Sequence, residues 1–262
     1  MHDQVDSMPY APKGPHPQQT LDLFKGMWAS KIPIDGVTTG ATPLFDDPRV
    51  PWAIAQLARF GIDLSHCDVL ELGPLEGGHS FSLVRNGAKS VTAIEANKSA
   101  FLKCLVAREV LGYERVKFLL GDAISFLQET RDSYDIAFAS GFLYHMQDPV
   151  RCLELVAKPV RALFLWTVYW DEDFSRKNPQ VPAGSDGVHI VRYGNRDIRL
   201  HRHGYGTGID YARFWGGPDT HSHWMEREDL LHVLRVNGFA QIHDELELNP
   251  NGAALKLVAV KA

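Results

Sequence analysis

Val69-Leu70-Glu71-Leu72-Gly73-Pro74-Leu75-Glu76-Gly77-Gly78 is the stretch that decides the fold of this chain. A short apolar run ends beside a carboxylate, breaks at glycine and proline, and gives way to a helical pattern from Ser80. Glycine at a strand-to-helix turn lets backbone approach a ligand closely, because no Cβ stands in the way. The amides that open the next helix point into the same crevice. The spacing departs from Gly-x-Gly-x-x-Gly, which turns the reading away from a nicotinamide or flavin dinucleotide. By itself the run supports a phosphate or nucleotide ligand and no more.

Outward from it, short apolar runs recur at 69–72, 91–94, 116–120, 136–139 and 162–167, with helical patterns at 80–86, 100–111, 123–129 and 149–157. That alternation predicts βαβ units and an α/β, Rossmann-like, doubly wound, mostly parallel sheet. It stops near Trp170. Residues 171–225 are dense in Gly, Pro, Arg, His and Asp. Within them 188–193 and 197–203 alternate around Gly194-Asn195, a hairpin signal, so the stretch reads as an insertion that is either a substrate lid or a structural flap. A helix at 226–236, stopped at Asn237-Gly238, and an antiparallel strand pair at 240–248 and 253–260 complete the core. At the other end, Pro9, Pro12, Pro15 and Pro17 mark residues 1–20 as a flexible tail. Residues 21–66 read as a helical cover, with an amphipathic segment at 21–28 and a helix from Pro48 through Phe60. The segments are then 1–20, 21–66, a cofactor-binding core at 67–170, 171–225 and 226–262.

Ligands of such sheets bind beyond the carboxyl ends of the strands, and four strand ends in order carry suitable groups. Glu71 stands at the end of the first strand, and Gly73, Pro74 and Gly77 follow it. Glu95, before Ala96, ends the second, where a carboxylate accepts from ribose hydroxyls; capping of the next helix is its structural alternative. Asp122, before Ala123, follows the third and accepts from an exocyclic amine, or N-caps a helix, or both. Ser140, Gly141, Phe142, Leu143, Tyr144 and His145 follow the fourth.

The stretch from Val69 to Trp170 resembles the class I S-adenosylmethionine-dependent methyltransferases. The resemblance implies that the loop at Glu71, Gly73, Pro74 and Gly77 holds the methionine moiety. It implies ribose on Glu95 with Ala96, adenine at Asp122 with Ala123, and the reacting sulfonium beside Ser140, Gly141 and Phe142. Gly78-His79 and Gly141-Phe142-Leu143-Tyr144-His145 are similar to the branch that forms carboxymethoxy-uridine in tRNA. Pro74 and Glu76 depart from the family's glycine-rich pattern.

Methyl transfer from a sulfonium is an in-line displacement, and a hydroxyl or protonated amine acceptor also needs a base. His145 is the first candidate for that base; the structural alternative is that it only hydrogen-bonds backbone and shapes the loop. His201, His203, His221 and His223, with Asp210 and Asp219, have a spacing open to a metal, but no ligand set is forced and no metal is assigned. Acceptor binding with Arg202, Tyr205 and Trp215 suits them better. A net charge of -5, with 27 Lys and Arg against 32 Asp and Glu, makes a small-molecule O or N acceptor the leading reading. A tRNA base, methylated or carboxymethylated, and a non-catalytic cofactor-binding relative are the alternatives. The 3 cysteines form no metal or disulfide pattern, and no signal or membrane-spanning run is evident, so a cytoplasmic protein is expected.

Overall fold

The computed structural model describes residues 10–11, 13–177, 187–205, 219–249 and 252–262. The chain enters through α1 (Pro17–Leu21), where Pro17 takes the first turn and the His16 side chain accepts from the Gln18 amide. The amphipathic segment at 21–28 holds a 3₁₀ turn, Asp22–Phe24, followed by Gly26 at φ 76°. A left-handed residue there cannot continue a helix, so the helical turn sits earlier, inside the stretch read as tail. Residues 27–44 then run irregularly to α2 (Arg49–Arg59), whose Val50, Ala53 and Leu57 face the core.

From β1 (Asp68–Leu72) the expected alternation holds. It continues through α3 (Gly78–Arg85), β2 (Ser90–Glu95), α4 (Lys98–Leu111), β3 (Val116–Leu120) and α5 (Ala123–Glu129) to β4 (Tyr134–Ser140), α6 (Pro149–Ala157) and β5 (Val160–Val168). Asn97, Asp122 and Asp148 each cap a following helix by accepting from a first-turn amide. The five strands pair in parallel, and their central residues are apolar on both faces because helices cover both. One layer buries Phe81, Phe138 and Phe164 with α2 and α4; the other buries Leu70, Leu163 and Leu257 with α6 and α8 (Arg227–Val236).

The insertion holds α7 (Glu172–Lys177) and a three-stranded antiparallel sheet of β6 (Val188–Tyr193), β7 (Arg196–Gly204) and β8 (His221–Met225). Tyr193 pairs with Arg196, so the predicted turn at Gly194-Asn195 forms, with Gly194 at φ 58°. The third strand was not expected from His221-Ser222-His223-Trp224-Met225, which is short and mostly polar. After α8, β9 (Phe239–Asn249) and β10 (Gly252–Lys261) pair antiparallel, and β10 inserts beside β5. The main sheet thus runs β3-β2-β1-β4-β5-β10-β9. Winding reverses between β1 and β4, the switch point at which such a sheet opens a crevice.

Candidate cofactor and acceptor site

The parallel register brings the four predicted strand ends to one edge. Gly73, Gly121 and Gly141 each donate one further ladder bond, to the carbonyls of Ile94, Glu95 and Trp166, at 2.9–3.0 Å. The loops after β1, β2, β3 and β4 therefore leave the sheet side by side. Gly73 has φ 69°, and a Cβ there would stand 3.2 Å from the Phe142 ring, so the first and fourth loops approach closely only because it is glycine. Pro74 is buried beneath this turn. Gly77 opens α3 in the left-handed region, with Tyr113 and Phe118 packed where a Cβ would lie.

Glu71 is buried at 1 % exposure. Its Oε2 accepts from the Ser80 hydroxyl, while Oε1 has no hydrogen-bond partner among the described residues. His79 Nδ1 stands 3.9 Å from that oxygen, and His79 Nε2 is 2.9 Å from Asp47 Oδ2. Burial pushes the Glu71 carboxyl up to about 8, helped by the Glu95 charge and opposed by the Ser80 bond. Asp47 goes the other way: burial acts to raise it, but His79 and Arg49 hold it well below the usual range.

Glu95 accepts from the Asn97 amide at 2.8 Å and from the Leu75 amide at 3.0 Å. Burial raises its pKa against those bonds. Ala96 beyond it is exposed. Asp122 caps α5, its Oδ1 taking both the Ser125 amide and hydroxyl, so the capping reading holds; the residue is exposed above buried Ala123. The Ser140 hydroxyl is buried without a hydrogen-bond partner among the described residues. Gly141, at φ 79°, turns the chain toward Tyr144 and Trp166.

His145 lies in a 3₁₀ turn, Leu143–His145, under the insertion. Its Nδ1 is 2.9 Å from the Tyr205 hydroxyl, and its ring packs on Tyr144 with centroids 4.1 Å apart. Burial, and then the neighbouring His203, push its pKa down to about 4, so the ring is neutral at pH 7. His203 stacks on Trp224, and His223 Nδ1 donates to the Gln147 carbonyl. His201 pairs instead with Glu226 and stacks on Trp170, away from this group. Asp210 and Trp215 lie outside the described residues. Among the described residues no three metal-ligating side chains are gathered in one place.

Asp47, Arg49, Glu76 and Lys103 belong to this neighbourhood and were not singled out as site residues. The Arg49 guanidinium sits 4.5 Å over Trp166 while chelating Asp47. Glu76 is completely buried against Lys103. A signal for Lys103 was present: it occupies the apolar stripe Ala100, Lys103, Cys104, Ala107 of α4, where a lysine demands a partner.

Residues 63–168 match a family described as a methyltransferase domain. The observed strand order agrees with that match, so this part of the chain is similar to methyltransferase domains built on a Rossmann-like sheet. Among curated relatives, the tRNA U34 carboxymethyltransferase of Actinobacillus pleuropneumoniae serotype 7 is 32% identical over 185 residues, covering 64% of this chain and 55% of that protein. The ribosomal RNA small subunit methyltransferase A of Ruegeria pomeroyi is 41% identical over 73 residues, covering 27% of this chain and 25% of that protein. The chain thus spans between a quarter and just over half of these relatives' lengths. Among solved structures, the N-terminal domain of EvdMO1 with SAH bound has a TM-score of 0.71 at 20% identity, covering 94% of this chain and 95% of that one. The magnesium protoporphyrin IX methyltransferase of Synechocystis PCC 6803, also with SAH, has a TM-score of 0.58 at 18% identity, covering 93% and 99%. These two likenesses are of fold. Among the described residues no helix is long and apolar enough to cross a membrane.

Proposed function

We propose that the chain is an S-adenosylmethionine-dependent methyltransferase acting on an oxygen or nitrogen of a small-molecule acceptor. One observation carries the cofactor reading. The strand ends that carry Glu71, Glu95, Asp122 and Ser140 leave the sheet side by side at one edge, and Glu71 keeps a buried oxygen without a hydrogen-bond partner among the described residues. A buried acid oxygen without a hydrogen-bond partner is costly until a donor meets it, and the ammonium of a methionine moiety is such a donor. Glu95 has the position to accept from ribose hydroxyls, and Asp122 from an adenine amine. The cofactor supplies a methyl group already activated by its positive sulfur.

The chain's own residues then align the acceptor and take its proton. In the tautomer whose Nδ1–H donates to the Tyr205 oxygen, His145 presents a neutral Nε2 as proton acceptor. Tyr144, Trp166 and Phe142 exclude water beside it. A small acceptor is favoured by the likeness along nearly the whole chain to the EvdMO1 domain, which was also crystallised with SAH in the presence of D-fucose. The tRNA reading is favoured by the carboxymethyltransferase relative, but the net charge of -5 opposes it.

Calorimetry with S-adenosylhomocysteine tests the cofactor reading. The parent protein is expected to bind, and Glu95→Ala to lose at least about tenfold in affinity while staying folded, since two charge-assisted bonds go. Undiminished binding by Glu95→Ala would remove the site map. His145→Asn should keep that affinity and lose methyl transfer by about a hundredfold or more, as expected of a general base.

A further inference from the structure

We infer that the buried pair Glu76–Lys103 is a latch that fastens the cofactor loop after β1 to the irregular N-terminal strap of residues 27–44, and that cofactor affinity depends on it. This rests on the cofactor reading above and adds to it two positioning residues. The side chains of Glu76 and Lys103 are 0% and 2% exposed, and their charged ends are 2.5 Å apart. Two buried charges this close stabilise little by themselves, because desolvation offsets most of their attraction. What distinguishes this pair is where its remaining hydrogen bonds go.

Glu76 Oε1 accepts from the Ala29 amide at 3.0 Å, and Oε2 from the Ser30 amide at 2.7 Å. Lys103 Nζ donates to the Met27 carbonyl at 2.9 Å and lies 5.9 Å from the Trp28 ring centroid. Four consecutive strap residues, Met27 to Ser30, are thus held by one carboxylate and one ammonium. The strap folds back on itself immediately beyond: Thr42 donates to the Ala29 carbonyl, and a Cβ at Gly40 would stand 2.2 Å from that same oxygen. It then meets the loop a second time, with the Leu44 carbonyl 2.6 Å from where a Cβ of Gly78 would lie.

The loop needs outside support. Leu75 has φ 54°, a left-handed conformation costly for a side chain with a Cβ. Its amide is held by Glu95 and its carbonyl by Cys104 Sγ at 3.3 Å. Its neighbour Glu76 is held by the strap. A loop fixed in this shape before the ligand arrives loses less conformational freedom on binding. Position 76, where the resembled family more often has glycine, therefore does work in this chain that a glycine cannot do.

The test uses the full chain and two variants, Glu76→Gln and the double Glu76→Gln/Lys103→Met. The double removes both charges at similar volume and stays foldable if the lone replacement strands an unpaired lysine. Calorimetry with S-adenosylhomocysteine and with adenosine, alongside amide exchange at Ala29, Ser30 and Leu75, reads the outcome. S-adenosylhomocysteine should bind the double variant about tenfold more weakly, adenosine within about twofold of the parent, and the three amides should exchange faster. Undiminished S-adenosylhomocysteine binding, with only thermal stability lowered, would overturn the latch. An equal loss for both ligands would overturn it too, as damage not specific to the loop. A parent that binds neither ligand would instead overturn the cofactor reading on which the latch rests.

Discussion

Glu71 carries two demands that oppose each other. Its carboxyl is buried, with one oxygen on Ser80 and the other unpartnered, and its pKa stands at about 8 against an unperturbed 4.5. In the folded protein without ligand it keeps its proton through a pH range where the unfolded chain has lost it. Stability is therefore undiminished below pH 4.5 and falls as pH rises toward 8. Glu71→Gln abolishes that fall. In thermal unfolding without cofactor the variant should match the parent near pH 5 and exceed it at pH 9 by about 1 kcal/mol or more. It should also bind S-adenosylhomocysteine more weakly, because an amide does not neutralise an ammonium. Equal pH slopes for the two proteins would show that Glu71 ionises normally. At this scale the sequence was legible where placement follows from position along the chain: Glu71, Glu95 and Asp122 each end or follow a strand that hydropathy alone located. Glu76 and Lys103 were not, because their roles depend on a strap 46 to 76 residues away.

The elements divide the same way. The strands and helices from Asp68 to Val168 are repeated apolar runs with clear caps, so local pattern and tertiary fold agree. The strap at 27–44 has neither periodicity nor caps; its shape is set by what it touches. The Gly78 contact measures how tightly it touches. Gly78 lies in a helix with ordinary φ, so alanine there brings no backbone strain and a better intrinsic propensity. Yet its Cβ would lie 2.6 Å from the Leu44 carbonyl and 2.7 Å from its carbon, both backbone atoms that yield only if the strap moves. Gly78→Ala is thus expected to destabilise by about 2 kcal/mol in urea unfolding, against the normal helix preference. Gly87→Ala, with φ 100° but nothing within 4 Å, costs backbone strain alone, about 1 kcal/mol. A Gly78→Ala protein as stable as the parent would mean that the strap lies loosely on α3.

At the scale of the whole molecule the question is what surface surrounds the crevice. Polynucleotide binding draws on Lys and Arg side chains that release counterions from phosphates, so affinity falls steeply with salt. Many of this chain's described cations are already committed to carboxylates. Arg49 pairs with Asp47, Lys89 with Asp68, Arg161 with Asp135, Arg196 with Asp229, Arg227 with Asp244, and Lys256 with Glu245 and Glu247. Recruiting them to phosphate would leave those acids facing the same phosphates, and the excess of 5 negative charges adds a repulsion at longer range. The fold is shared by enzymes acting on RNA and on small molecules, so charge distribution, not topology, separates the two acceptor classes here. Titration of unmodified tRNA into the S-adenosylhomocysteine-loaded protein at low salt, followed by fluorescence anisotropy, should give no saturable binding below about 10 μM, weaker than specific recognition requires. Saturable binding with a steep salt dependence would move the acceptor to RNA.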